Sequence, residues 1–448
     1  MLTYPLSLLS KPLQPHVSCK GTNITPNCKK DFEILSLRVK KLMDMDNKIK
    51  VGVLKETKTP PDRRVALAPE QAVETIKRFN NIELFIQSSD IRCFTDDEYK
   101  NLGLNVVDDI SHCDILLGVK EVHIPYLLAN KKYLFFSHTA KKQPYNRKLL
   151  QELVKKNIQM IDHEYLTDKN NVRVVAFGRW AGIVGAYNGL IAFGKKNKLY
   201  DLKRAYQCHD MNEMLEQVKT IKLPPIKILI TGKGRVGKGA LETLAPLNLK
   251  QVSPDEFLTK NYDEPVVCII DADTYTKHKD GKKFEFSHFF KHPEEYVSIF
   301  KPFTKVTDLY IACHFWDPKS PVFMTPDDYK EKDFKISVIA DVSCDIKDPI
   351  PSTLRASTIA DPFYGYNKHT GHEDDPWAKD NVTVMAVDNL PGELPRDASV
   401  DFSKALMEKV FPSLFGEDKE GIIERASITK DGKLTPRFSY LQDFLEGK

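Results

Sequence analysis

The sequence predicts an α/β protein made of two doubly wound parallel-sheet domains that face each other across an interdomain cleft. Three observations carry this. Apolar strand-like runs alternate with helical runs along residues 49–195, the order that builds a parallel sheet flanked by helices. A second series opens with the apolar strand Lys227-Ile228-Leu229-Ile230-Thr231, which runs into Gly232-Lys233-Gly234-Arg235-Val236-Gly237 and then a helix-forming stretch. The length of 448 residues exceeds what one core normally serves.

Each element has a local reason. Ile49-Lys50-Val51-Gly52-Val53-Leu54 alternates as an edge strand does, and Ala66-Leu67-Ala68-Pro69-Glu70 opens a helix with Pro and an acid in its first turn. Strands follow at Ile82–Ile86, Asp114–Val119 and Tyr133–Ser137, then a helix through Leu149–Lys155 and a strand at Ile158–Ile161. A long helix from about Ala181 to Lys195 carries Ala181, Gly182, Gly185 and Ala186, small residues that permit close packing, and links the two halves. Pro224-Pro225 marks entry to the glycine-rich strand. Short apolar strands then recur at Val266–Ile270, Leu309–Cys313, Ile336–Ile339 and Val382–Val387. The polar segment Pro362–Lys379 reads as a long loop, and its His369, His372, Glu373, Asp374 and Asp375 as solvated rather than metal-binding, because their spacing is irregular. No metal site is expected. The expected domains are 49–195, completed by about 388–448, for substrate, and 196–387 for a dinucleotide.

The glycine run fits a Rossmann-like dinucleotide site. Gly232 permits the tight turn, Gly234 lets backbone N–H groups approach a pyrophosphate, and Gly237 lets the helix pack on the strand, while the helix N-terminus supplies partial positive charge. The same geometry alone could serve a plain strand–helix turn.

Composition narrows the partners. The net charge of +4 is concentrated in residues 1–42, where seven Lys/Arg face only Asp31 and Glu33, so the remaining chain is close to neutral. Nucleic acid is therefore not expected as a partner. No apolar run reaches the roughly 20 residues that span a bilayer, so no membrane partner is expected either. The eight Cys show no Cys-x-x-Cys and no zinc-like pairing with His, and Cys113, Cys268 and Cys313 sit in apolar runs as packing residues. Residues 1–48 are expected to be a disordered tail or an early-assigned start, with Met43 or Met45 as the alternative first residue. A cytoplasmic protein is expected, organellar import through residues 1–45 staying open. Small molecules are the expected partners, with the chain a monomer or a homodimer.

Charged residues gather where strands end. Lys55-Glu56-Thr57 follows the first strand, Arg63-Arg64 comes soon after, Lys120-Glu121 ends the run Ile115–Val119, and His138 ends Tyr133–Ser137. Strand C-terminal ends are where open α/β sheets bind ligands. Taken singly, each such Lys or Arg is more often a solvated group and His138 a structural one.

Together these segments resemble the alanine dehydrogenase and saccharopine dehydrogenase superfamily, and within it most closely saccharopine dehydrogenase and lysine–2-oxoglutarate reductase. The resemblance rests on Gly52-Val53-Leu54-Lys55-Glu56-Thr57 with Arg64-Val65-Ala66-Leu67, on Gly118-Val119-Lys120-Glu121, and on Phe136-Ser137-His138. It continues through Arg173–Gly178, Ala340-Asp341-Val342-Ser343-Cys344-Asp345, and Asp388-Asn389-Leu390-Pro391 with Leu394–Ser399. It implies hydride transfer with NAD or NADP that interconverts saccharopine with L-lysine and 2-oxoglutarate. It implies Lys120 and His138 as the acid/base pair, with Arg64, Gln143, Arg173, Phe177, Ser343, Cys344 and Asp345 toward substrate. It implies Gly232, Lys233, Gly234, Arg235, Val236, Gly237, Phe315, Val342, Asp388, Asn389, Leu390 and Pro391 toward the cofactor. The second strand of the nucleotide domain is read at Leu249–Val252, where no acid stands at its end and Asp255 and Glu256 come late, so NAD and NADP stay open. The competing readings are an alanine-type amino-acid dehydrogenase and a non-catalytic dinucleotide sensor.

Overall fold

The structure, a computed structural model, describes residues 48–448, so the expectation for the N-terminal tail falls outside the described residues apart from Lys48. Residues Ile49–Lys448 form one compact unit.

Two eight-stranded sheets carry the fold. The first is built from β1 (Ile49–Val53), β2 (Ile82–Gln87), β3 (Asn105–Val107), β4 (Ile115–Lys120), β5 (Lys132–Phe136) and β6 (Gln159–Asp162), all paired in parallel. The late strands β17 (Ser427–Lys430) and β18 (Lys433–Leu434) extend it antiparallel, giving the order β18-β17-β6-β5-β4-β1-β2-β3. Chain order reverses between β1 and β4, which places a crevice beyond the carboxyl ends of those two strands.

The second sheet contains β7 (Lys227–Thr231), β8 (Lys250–Gln251), β9 (Val266–Ile270), β12 (Leu309–Ala312), β13 (Val338–Asp341), β14 (Phe363–Tyr366), β15 (Glu373–Asp374) and β16 (Val382–Met385). Its order is β15-β14-β16-β13-β12-β7-β9-β8, so its reversal lies between β7 and β12. A two-stranded pair, β10 (Thr276–His278) with β11 (Tyr296–Ser298), stands apart from both sheets.

One reading of the sequence is corrected here. The segment Pro362–Lys379 is not one long loop: Phe363–Tyr366 pairs antiparallel with β16 and with β15. Gly365 permits this, since a Cβ there would lie 2.4 Å from the Asp375 carbonyl oxygen. The second strand of this domain in chain order, read at Leu249–Val252, is present as the two-residue edge strand β8, while the strand beside β7 is β9. The apolar pattern of β9 buries it between two neighbours, whereas both residues of β8 are exposed.

The helix Gly178–Lys196 packs against β12, β13 and the helix Arg235–Leu244. It is buried over most of its length. Its glycines are demanded by backbone contact. A Cβ on Gly182 would lie 1.8 Å from the Val236 carbonyl oxygen, and one on Gly239 would lie 2.1 Å from that of Arg179. Among the described residues no helix is long and apolar enough to cross a membrane.

Because no side chain can give way at this backbone–backbone contact, Gly182→Ala should destabilise the fold by about 1–3 kcal/mol or more. Urea or thermal unfolding measures this, and a variant as stable as the parent would show that the two helices can separate freely.

Candidate active site

The crevice of the first sheet collects charge. Lys120 closes β4, His138 follows β5, and Glu56 lies just past β1. The buried Glu56 carboxylate accepts the Val119 N–H at 2.7 Å and the Lys120 N–H at 2.8 Å, tying the end of β1 to that of β4. Burial pushes Glu56 up to about 8, against the pull of those backbone donors.

Burial also lowers Lys120 to about 8, helped by the positive charges of Arg64 and Lys58 and opposed by Asp62 and Glu121. Among the described residues no carboxylate stands within ion-pair distance of the Lys120 amine. His138 is lowered to about 4, first by burial and then by the charges of Lys120 and Lys141. Its backbone is left-handed, φ 53°, an uncommon state for a side-chain-bearing residue that turns the ring out of the strand direction. Its Nδ1 lies 3.8 Å from Glu121 Oε2, while Glu121 Oε1 accepts from Lys58 at 2.7 Å.

Arg64 is not free to clamp a ligand with its whole guanidinium. It is buried, donates twice to Asp62, at 3.0 and 2.6 Å, and once to Asn389 Oδ1 at 2.8 Å, and lies 4.3 Å over the Phe177 ring. That ring in turn stacks on Phe402 at 4.5 Å. Asp62 is held well below the usual carboxylate range despite its burial, because Arg64 faces it. Asn389 Nδ2 also donates to Asp62 at 3.2 Å, so this trio joins the two halves of the chain. Arg173 is half-exposed and pairs with Glu164 at 3.1 Å, an acid shared with Lys141 at 3.4 Å. Gln143 is exposed and accepts from the Tyr145 hydroxyl.

Across the cleft, Ser343, Cys344 and Asp345 follow β13. The buried Asp341 carboxylate accepts from Ser343 Oγ at 2.7 Å, from the Ser343 N–H at 3.0 Å and from Thr353 Oγ1 at 2.5 Å. It fixes the turn in which Cys344 adopts φ 57°. Asp345 is raised to about 6 by burial and by the neighbouring Asp341. Val342 packs toward the central helix, where a Cβ on Gly185 would lie 2.4 Å from it.

The glycine loop has the shape of a phosphate cradle. Gly232 sits at φ 90°, Gly234 begins the helix Arg235–Leu244, and a Cβ on Gly234 would meet nothing within 4 Å. The helix's first N–H groups face that open side. Gly237 is needed because a Cβ there would lie 1.8 Å from the Gly232 carbonyl oxygen. Lys233, Gly234 and Arg235 are exposed, Val236 half-buried, and Arg235 donates to the Arg173 carbonyl at 3.2 Å. Phe315, beyond β12, exposes 81% of its surface. Asp388 is exposed, whereas Leu390 and Pro391 are buried, so those two hold the segment rather than offer side chains to a ligand. Glu256 is consumed as the helix-capping partner of Ser253. The acid that ends the strand beside β7 is Asp271, which also caps the next helical turn, its carboxylate accepting the Ala272 N–H at 2.8 Å and the Lys233 N–H at 3.2 Å.

Reading the sequence missed Glu56, Asp62, Glu121, His163 and Glu164 as parts of this site. His163 is buried below Phe136, its Nε2 donating to the Gly118 carbonyl at 2.9 Å. The available signal was the acid beside each candidate cation, at Glu56, Asp62 and Glu121. A separate cavity of about 720 Å³, lined by Gln71, Trp180, Asp210 and Asp401, contains none of these groups.

The alanine dehydrogenase/PNT N-terminal domain family matches residues 52–184. The alpha-aminoadipic semialdehyde synthase of Arabidopsis thaliana is 28% identical over 437 residues, covering 87% of this chain and 41% of the relative. The chain therefore spans less than half the length of that relative. Saccharopine dehydrogenase [NAD(+), L-lysine-forming] of Yarrowia lipolytica is 26% identical over 380 residues, covering 80% of this chain and 90% of the relative. An L-alanine dehydrogenase structure superposes with a TM-score of 0.60 at 15% identity, covering 89% of this chain and 99% of that one, which establishes the shared fold.

Glu56 gives this site a measurable signature. Its acid form is favoured in the folded chain, so its contribution to stability is full below about pH 4.5 and is lost as pH rises toward 8. Glu56→Gln removes that loss. The variant should gain a few kcal/mol on the parent between pH 5 and pH 9 in urea unfolding; parallel pH curves would mean that Glu56 is ionised throughout.

Proposed function

We propose, for a chain that belongs to the alanine dehydrogenase–saccharopine dehydrogenase superfamily, that it interconverts saccharopine with L-lysine and 2-oxoglutarate. The observation that carries this is the pair at the ends of β4 and β5: a Lys120 amine lowered to about 8 with no carboxylate in ion-pair reach among the described residues, beside a His138 that stays neutral at pH 7. An acid/base pair of this kind suits chemistry at a carbon–nitrogen bond. The saccharopine dehydrogenases and semialdehyde synthases among the relatives support the substrate.

NAD(P), seated on the Gly232–Gly237 loop, would exchange hydride at the substrate carbon bonded to nitrogen. Lys120 takes the proton of the secondary amine in the oxidative direction, since an amine must be neutral to lose hydride. His138 accepts a proton from the water that adds to the imine carbon and returns one to the departing lysine nitrogen. Arg173, half-exposed beside Glu164, reaches a substrate carboxylate with the donors that Glu164 leaves unused. Arg64, locked by Asp62 and Asn389, sets the field on Lys120 and anchors Phe177 rather than acting as the main clamp. Ser343 and Asp345 close the opposite wall.

Asp271 favours NAD. It ends the strand beside the glycine strand and faces the loop, the place from which a carboxylate binds a ribose 2′-hydroxyl and repels a 2′-phosphate.

A nicotinamide absorbance assay tests these assignments. Oxidation of NADH should require lysine and 2-oxoglutarate together and should exceed that of NADPH; activity with pyruvate and ammonia alone would move the chain to the alanine type. Lys120→Met should lower turnover by about 100-fold or more while NADH binding persists, and loss of NADH binding would make Lys120 structural. The rate of saccharopine oxidation should rise with pH toward a plateau above about 8, as Lys120 loses its proton, and this limb should vanish in the Met variant.

A further inference from the structure

The excursion between β9 and β12 carries chemistry that the dehydrogenase reading leaves unused. β10 and β11 pair antiparallel, His278 opposite Tyr296, and the chain between them makes a helical turn at Phe286–Phe289. The turn continues through the His292 N–H, which donates to the His288 carbonyl at 2.8 Å. His288 and His292 thus lie four residues apart across a turn that ends at His292, whose φ of −134° is not helical, with ring centroids 5.0 Å apart. Glu295 follows: its Oε2 is 3.9 Å from His288 Nε2, and its carboxylate, with His292 and Glu294, offers ligand atoms within 4.8 Å of one another.

The surroundings orient these groups. His288 Nδ1 lies 3.1 Å from the Tyr296 hydroxyl, and in the tautomer whose Nδ1–H donates to that hydroxyl, Nε2 is the unprotonated nitrogen a metal ion needs. His278 is buried, and its Nδ1 accepts the Asp280 N–H at 3.0 Å, which puts the ring proton on Nε2. That Nε2–H donates to Glu295 Oε2 at 3.1 Å and fixes the carboxylate. A metal ligand is commonly held by such a donor behind it.

We propose that His288, His292 and Glu295, with Glu294 as a further oxygen donor, bind a divalent first-row transition-metal ion, Zn²⁺ fitting best. Two imidazoles with carboxylates form a nitrogen/oxygen set that Zn²⁺ accepts at bonds of about 2.0–2.2 Å. The side chains of His288, His292, Glu294 and Glu295 are 38–57% exposed, so an ion can enter and the ligands can close on it. The separations are 3.6 Å for His292–Glu294 and 3.9 Å for His288–Glu295, two groupings that share Glu295, and the two imidazoles must draw together for one ion to take both. Bound there, the ion ties the helical turn to the start of β11 and clips the excursion shut. The inference is independent of the proposed activity.

Titration of the full chain with Zn²⁺ against a chromophoric chelator tests it. One saturable equivalent is expected, absent from the His288→Ala/His292→Ala double variant and weakened about tenfold in Glu295→Gln. Metal-free unfolding temperatures of parent and variants should agree, which shows that the fold is kept. Equal Zn²⁺ binding by parent and double variant would overturn the proposal, as would a parent chain with no saturable equivalent.

Discussion

The backbones of the helices Gly178–Lys196 and Arg235–Leu244 touch with no side chain between them, and the arrangement of the cleft hangs on that contact. Gly182 and Gly239 each lie against a carbonyl of the other helix. The first helix begins at Phe177, which supports Arg64 and stacks on Phe402. The second begins at the glycine loop. Their contact therefore sets the distance between the first sheet and the glycine loop, and Arg235 bridges it by reaching the Arg173 carbonyl. The same helix lies on β13 through Gly185 and Gly189, whose Cβ positions would meet Val342 and Ala340. One glycine-lined surface thus positions three walls of the cleft, and side-chain rearrangement cannot absorb an error in it.

Most of the sheet framework was legible because apolar runs and glycine turns are local signals. Lys120 and His138 were legible as strand-end residues. The neighbour of β7 was not, because order within a sheet is settled by tertiary pairing. The run at Leu249–Val252 follows the glycine helix in sequence, yet Val266–Ile270 takes the place beside the glycine strand. With that strand comes Asp271, and the question of the acid changes. The hairpin at Phe363–Asp374 was hidden by short strands rich in polar residues. The commitment of Arg64 to Asp62 was two residues away in the sequence, but no pattern says that the pair will be buried together. The approach of His288 and His292 to Glu295 has no sequence signal, because Glu295 is oriented by the buried His278.

Burial explains why the site's acids and bases converge. In water a Glu and a Lys are about 6 pKa units apart, so moving a proton from ammonium to carboxylate costs roughly 8 kcal/mol. Here burial lifts Glu56 to about 8 and lowers Lys120 to about 8, since it disfavours the charged form of each. Asp345 rises to about 6 and His138 falls to about 4 for the same first reason. Opposing each shift are other groups: the Val119 and Lys120 N–H donors for Glu56, the Ser343 hydrogen bond for Asp345, and nearby acids for Lys120 and His138. Asp62 and Glu121 act upward on Lys120, and Glu121 and Glu164 act upward on His138. Lys58 engages Glu121, and Arg173 with Lys141 engages Glu164, so these two restraints depend on neighbours in contact with solvent, whereas Asp62 is paired with the buried Arg64. Burial sets the direction of every shift, and the half-exposed pairs adjust its extent at Lys120 and His138. Changes confined to the rim can therefore retune proton transfer without touching the core beneath it.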